Sequence, residues 1–207
     1  MVDGLFVSNF VGKSAFAAVN LIMPFLMGIS ALGFMIGTGG SAIVAKTLGE
    51  GKTEKANEYF SMLVYITAIG GIIIAILSMF LVKPVAILFG ANGALLDNCI
   101  LYGRILCISL PAFMLQNVFQ SFFVTAEKPH LGLRVIVIAG VTNMVLDFLF
   151  VAVLHFGLPG AGFATVCGEF IGGLFPLFYF GRKNSSLLKL RKTHFHGKIL
   201  LKTCTNG

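Results

Sequence analysis

The sequence predicts an all-α fold, a polytopic bundle of transmembrane helices. Three observations lead there: of 207 residues 57% are hydrophobic, 11% are charged, and the mean hydropathy is +0.94. A soluble domain carries about 25% charged residues, and a disordered chain combines low hydrophobicity with high net charge. Composition excludes both. Apolar stretches with at most one charge and long enough to cross a bilayer then supply the elements, since a spanning helix needs about 20 mostly apolar residues.

Residues 2–11 read as the outer end of a helix whose first half is missing, a remnant of helix one near 1–12. The first complete span lies near 19–45, inside a stretch without charge between Lys13 and Lys46. A second lies near 59–82 and is rich in Ile, Leu and Ala; a third lies near 98–126, with Arg104 close to its start. The fourth, near 135–154, carries Asp147 at about its middle, and the fifth, near 162–180, carries Glu169. Residues 1–181 thus form one N-terminal transmembrane lobe. Residues 182–207 form a basic connector, in which Ile199-Leu200-Leu201 begins an apolar stretch leading toward a second lobe not contained in the sequence.

The formal charge of +7 resides in that connector: Arg182, Lys183, Lys189, Arg191, Lys192, Lys198 and Lys202 stand there without an acid, leaving 1–181 neutral overall. A basic tail can serve nucleic acid, but beside an apolar span it marks a cytoplasmic membrane face, so no nucleic-acid partner is expected. The segments 46–55 and 126–134 together with the tail hold twelve of the fifteen Lys and Arg residues. Lys13, Lys83 and Arg104 fall on the other side. The positive-inside asymmetry therefore predicts a multi-pass protein of the cytoplasmic (inner) membrane with a cytoplasmic C-terminal tail. Five spans would then leave the N-terminus outside, yet Met1-Val2-Asp3 has no basic start and no separate apolar run of a signal peptide. A truncated first helix resolves this, with Met1 an internal methionine.

Several motifs are matters of packing. Pro24, Pro111 and Pro176 lie inside spans, where each frees a carbonyl and permits a kink. Gly33-x-x-x-Gly37 and Gly168-x-x-x-Gly172 suit close helix contact. Gly37-Thr-Gly39-Gly-Ser-Ala42 matches a dinucleotide fingerprint in its letters, but that motif works between a strand and a helix N-terminus; within an apolar span it reads as tight packing. Cys99, Cys107, Cys167 and Cys204 have neither CxxC nor metal-ligand spacing, and His194-x-His196 lacks further ligands. No metal beyond Na⁺, no cofactor and no catalytic residue is expected, and the chain does not read as an enzyme.

The acids inside spans carry the functional signal. An ionised carboxylate at the bilayer centre costs about 2.5–3.5 kcal/mol on insertion scales, so it faces a cavity or the bundle interior and marks an ion or proton pathway. Asn143 stands four residues before Asp147, on the same helix face. An amide there can bind Na⁺ through its carbonyl oxygen or hydrogen-bond the protonated acid. Thr165 and Glu169 form a similar pair on the next span, and Gln120 with Glu169 is a further polar candidate. The plainer alternative is a buried acid satisfied by neighbouring donors.

Asp3-Gly-Leu-Phe-Val-Ser, the Pro24 span ending in Ala45-Lys-Thr-Leu-Gly-Glu-Gly, Thr142-Asn143-Met-Val-Leu-Asp147 and Gly157-Leu-Pro-Gly-Ala-Gly-Phe-Ala-Thr165 follow in this order. The set resembles the first half of a MATE (multidrug and toxic compound extrusion) transporter of the MepA-like subgroup, over essentially the whole chain. The resemblance implies one six-helix lobe of a twelve-helix protein with a central cleft, and exchange of H⁺ or Na⁺ for amphipathic or cationic drugs: multidrug efflux and xenobiotic export, the basis of antibiotic resistance. It implies coupling-ion roles for Asp147, Asn143, Asp3 and Thr165, with the five spans as helices two to six.

The same residues admit other readings. A related flippase for lipid-linked precursors needs a strongly cationic cavity, whereas in-span bases amount to little beyond Arg104. A structural membrane subunit would use Asp147 for pairing with a partner's base, and a non-transporting fragment is a further alternative. Phe34, Met35, Met114 and Phe148 are expected at an adaptable drug surface only in part, because most such residues pack against lipid or helices.

Overall fold

The computed structural model describes residues 2–182 and 186–207, with only the backbone at residues 2 and 3. The described residues form α1 (Val2–Phe10), α2 (Lys13–Gly49), α3 (Thr53–Leu88), α4 (Gly93–Thr125), α5 (Pro129–Asp147), a π-helical turn (Phe148–Val153), α6 (Gly157–Gly181) and α7 (Gly197–Asn206). Five of these, with the π turn extending α5, are long and apolar enough to cross a membrane.

The helices overrun the apolar stretches that predict them. At 1.5 Å per residue, the 37 residues of α2 reach about 55 Å, against a hydrocarbon core of about 30 Å. Apolar runs mark only the lipid-level part, and the helix continues through the polar interface until a turn stops it. Between α2 and α3 that turn is made by Gly51 at φ 74°, a left-handed conformation that a β-carbon opposes. Pro84 therefore joins Pro24, Pro111 and Pro176 inside a helix.

The centre is α4. In its most apolar stretch 61% of residues are buried, against 22–39% in the other spans. α2, α3 and α6 pack around it, and α5 lies outside against α6. Small residues allow the approach: a β-carbon on Gly33 would stand 2.7 Å from the Met114 carbonyl, and one on Gly37 3.0 Å from the Val118 Cα. The two glycines, one turn apart, thus receive two α4 residues one turn apart, whereas Gly168 receives α5 at Asn143 and Gly172 receives α4 at Gln116. The Gly37–Ala42 motif lies wholly within α2, where Gly39 and Gly40 meet Thr203, Leu63 and Phe122.

One aromatic core closes the end of the bundle nearest the tail: the Phe60 ring lies 4.8 Å from Phe122 and 5.1 Å from Phe180. A second core, around Val7, Ile22, Tyr102, Leu110 and Leu158, fills the other half. Outward, α3 presents Ile69, Ile72, Ile73, Ile76 and Phe80, and α5 presents Val137, Ile138, Val141 and Val145. Apolar bands of that length exceed what a water-soluble monomer exposes and suit lipid contact.

The connector is held as a strap. Lys189 N–H donates to Asn57 Oδ1 at 2.7 Å, Arg191 N–H to Ser61 Oγ at 2.8 Å, and Thr193 Oγ1 to the Glu58 carbonyl at 2.9 Å. His196 places its ring 5.6 Å from that of Tyr59, edge to face. Lys183 lies outside the described residues.

Candidate functional site

The polar site forms along the seam between α5 and α6. Gly168 makes it possible: its missing side chain lets the Ala139 carbonyl and the Asn143 Cβ come within 3.1 Å of where a β-carbon would sit. That approach brings Asn143 to Thr165, whose hydroxyl accepts from Asn143 Nδ2 at 3.5 Å and donates to the Ala161 carbonyl at 3.1 Å. One turn further along α6, Glu169 accepts a hydrogen bond from Ser109 Oγ of α4 at 2.5 Å. Asn143, Thr165 and Glu169 share a cavity of about 360 Å³ with Gln116 and Phe113 of α4. Among the described residues, no Lys or Arg lines it.

Asp147, four residues beyond Asn143, is fully buried, with 0% exposure. It is the last residue of regular α5, and the chain continues through the π turn. Asp147 therefore lies nearer the end of its span than the mid-span position expected from 135–154, because the helix already starts at Pro129, before Arg134. π turns recur where helices are locally adjusted for function. Here the turn sets Phe148 6.5 Å from Phe6 of α1, edge to face, and α1 also packs against α5 and α6. Asp3 belongs to α1 by its backbone; its side chain lies outside the described residues.

The other candidates separate. Gln120 is half-buried on α4 but does not line the cavity; Gln116, one turn earlier, does. Ser109 and Gln116 were not singled out by sequence reasoning. They stand seven residues apart on one face of α4, opposite Glu169, and that spacing was the available signal. Of the residues considered for a drug surface, Phe34 and Phe148 are exposed, whereas Met114 is buried at 1% and belongs to the α2–α4 contact.

The arrangement offers a buried carboxylate, an amide, a hydroxyl and a second carboxylate within one lobe. Oxygen donors of this kind bind a hard cation or exchange a proton.

Comparison with known proteins fits this layout. The MatE family model matches residues 1–149. Multidrug export protein MepA of Staphylococcus haemolyticus (strain JCSC1435) is 28% identical over 171 residues, covering 83% of this chain and 38% of that protein. An inward-facing structure of a multidrug resistance MATE family transporter of the MOP superfamily superposes with TM-score 0.92 at 25% identity. It covers 100% of this chain and 47% of that one. The outward-facing structure gives 0.89 at 26% identity, covering 97% and 44%. The chain thus spans less than half the length of these relatives, and with its membrane-spanning helices it is a multi-pass membrane protein.

Proposed function

The chain belongs to the MatE family, and from that membership we propose that it forms the cation-coupling lobe of an antiporter. The transporter exports drugs and other organic cations across the cytoplasmic membrane in exchange for H⁺ or Na⁺, with the basic tail on the cytoplasmic side. The observation that carries this reading is Asp147: a fully buried acid in a membrane-spanning helix, one turn from the Asn143–Thr165 contact.

Protonation or Na⁺ binding neutralises Asp147, one turn of α5 from Asn143 and its contact with Thr165, and the family resemblance implies a coupling role for Asp3 as well. A carboxylate charge at the centre of a bilayer costs about 3 kcal/mol, roughly a hundredfold in a two-state ratio, which sets the scale of what neutralising Asp147 supplies. Occupation of the site is therefore large enough to choose between two arrangements, provided ion and drug prefer different ones. α1 is the element placed to respond, because its Phe6 packs on the turn that follows Asp147. The lobe superposes on inward-facing and outward-facing relatives with similar scores, which supports a cycle in which it moves largely as a unit against a second lobe.

A cavity that bears Glu169 and, among the described residues, no Lys or Arg supports a cationic substrate over an anionic lipid-linked one. The test is dye efflux from cells whose own exporters are deleted, using the full-length protein. Asp147→Asn is expected to bring efflux to the level of cells without the protein, at unchanged membrane abundance. Efflux retained at the wild-type rate would refute the role of Asp147.

A further inference from the structure

Away from the α5–α6 seam, a second polar cavity of about 470 Å³ lies where α7 crosses the ends of α2 and α3. Its lining combines two ammonium groups, Lys46 of α2 and Lys202 of α7, with the neutral donors Tyr59 and Asn206. Ile43 and Ile199 contribute an apolar part. The lining also holds one acid, Glu50: Lys52 pairs with it at 2.7 Å and, with a smaller contribution from Lys46, holds its carboxyl below the usual carboxylate range. Lys46 and Lys202 form no ion pair among the described residues.

We propose that this cavity binds the phosphate of an acidic phospholipid headgroup. Lys46 and Lys202 face one lining carboxylate, Glu50, which already pairs with Lys52, so the lining keeps an excess of positive charge, and a phosphate accepts from ammonium, phenol and amide donors together. The ligand is a lipid because the surroundings are amphipathic. α7 turns Ile199, Leu200 and Thr203 inward and exposes Lys198, Leu201 and Lys202. Leu201 is 70% exposed, and Phe195, just before α7, is 71% exposed. Basic and apolar groups side by side on a helix at the end of a membrane bundle are the pattern of headgroup-level contact.

The cavity is also preformed. The strap fixes the approach to α7 through Asn57, Ser61 and Glu58, and Thr203 packs its carbonyl on Gly39 of α2. Lys202 is thereby set over the last turns of α2, where Lys46 stands, without help from the ligand.

The experiment measures thermal unfolding of the full-length protein in neutral detergent with added phosphatidylglycerol, phosphatidylcholine or inorganic phosphate. Phosphatidylglycerol is expected to raise the midpoint with increasing lipid, as a ligand of the folded state does, while phosphatidylcholine does not. The rise should disappear in Lys46→Gln/Lys202→Gln and persist in Lys189→Gln/Lys192→Gln, which removes the same charge outside the cavity. Native mass spectrometry of the single variant Lys202→Gln gives an independent count, expected to fall below that of the wild type. Equal stabilisation by phosphatidylcholine, undiminished stabilisation or lipid count in the cavity variants, or equal loss in both double variants overturns the proposal. Inorganic phosphate matching phosphatidylglycerol also overturns it, and makes the ligand a free anion. None of these readouts depends on export, so their failure leaves the coupling role of Asp147 untouched.

Discussion

Two polar regions of the lobe use similar groups to opposite ends. At the strap, Asn57 and Ser61 are buried and each accepts a backbone N–H from the tail at 2.7–2.8 Å. At the α5–α6 seam, Asn143 reaches Thr165 at 3.5 Å, beside a cavity and one turn from the buried Asp147. Short bonds to backbone fix a conformation. A long side-chain contact beside a cavity and a carboxylate leaves room for a cation to enter. The contrast teaches that polar residue type inside a membrane bundle does not by itself mark a functional site; the partner and the adjoining space do.

The largest effects should separate the regions completely. Asp147→Asn abolishes export while leaving the unfolding midpoint near that of the wild type. Asn57→Ala does the reverse: it removes the acceptor of the Lys189 N–H, costs about 0.5–1.5 kcal/mol, and leaves export per folded molecule unchanged. Paired unfolding and efflux measurements check both, and a variant that moved both readouts equally would erase the distinction.

Gly173→Val tests the frame shared by both regions. A β-carbon there would collide with the Ala112 backbone of α4, and overpacking of this kind costs about 1–3 kcal/mol. The midpoint should fall without a change in the ion that drives export. Asn143→Ala removes an interhelical hydrogen bond worth about 0.6 kcal/mol, so stability barely moves, while the concentration of H⁺ or Na⁺ needed for half-maximal export rises.

The smallest effect is expected at the tail-side rim. Lys52 lowers the Glu50 pKa, so any stabilisation from the pair is present above the unfolded carboxylate pKa and lost as pH falls through the folded one. The pair is in solvent, where such contacts contribute little. Glu50→Gln should therefore leave the midpoint unchanged across that pH range.

Much of this arrangement was legible in the residues. Long apolar runs, two of them without any charge, located every span, because lipid leaves few alternatives to long apolar helices. Asp147 and Glu169 stood out because acids inside such runs are costly. The helix ends were not legible, since the interface tolerates polar residues in helical form, and this displaced Asp147 from mid-span toward the span's end. Gln116 was hidden behind Gln120, one turn away with the same chemistry, until packing showed which faces α6. The strap left no local trace, because Asn57 and Ser61 meet partners about 130 residues away.

The central claim is that one buried carboxylate exchanges its cation when drug binds. It is tested most directly by measuring H⁺ and Na⁺ released when a cationic dye is added to purified full-length protein, wild type beside Asp147→Asn. Cation release from the wild type and none from the variant is the predicted result. Undiminished release from Asp147→Asn would contradict the account and move the coupling site elsewhere.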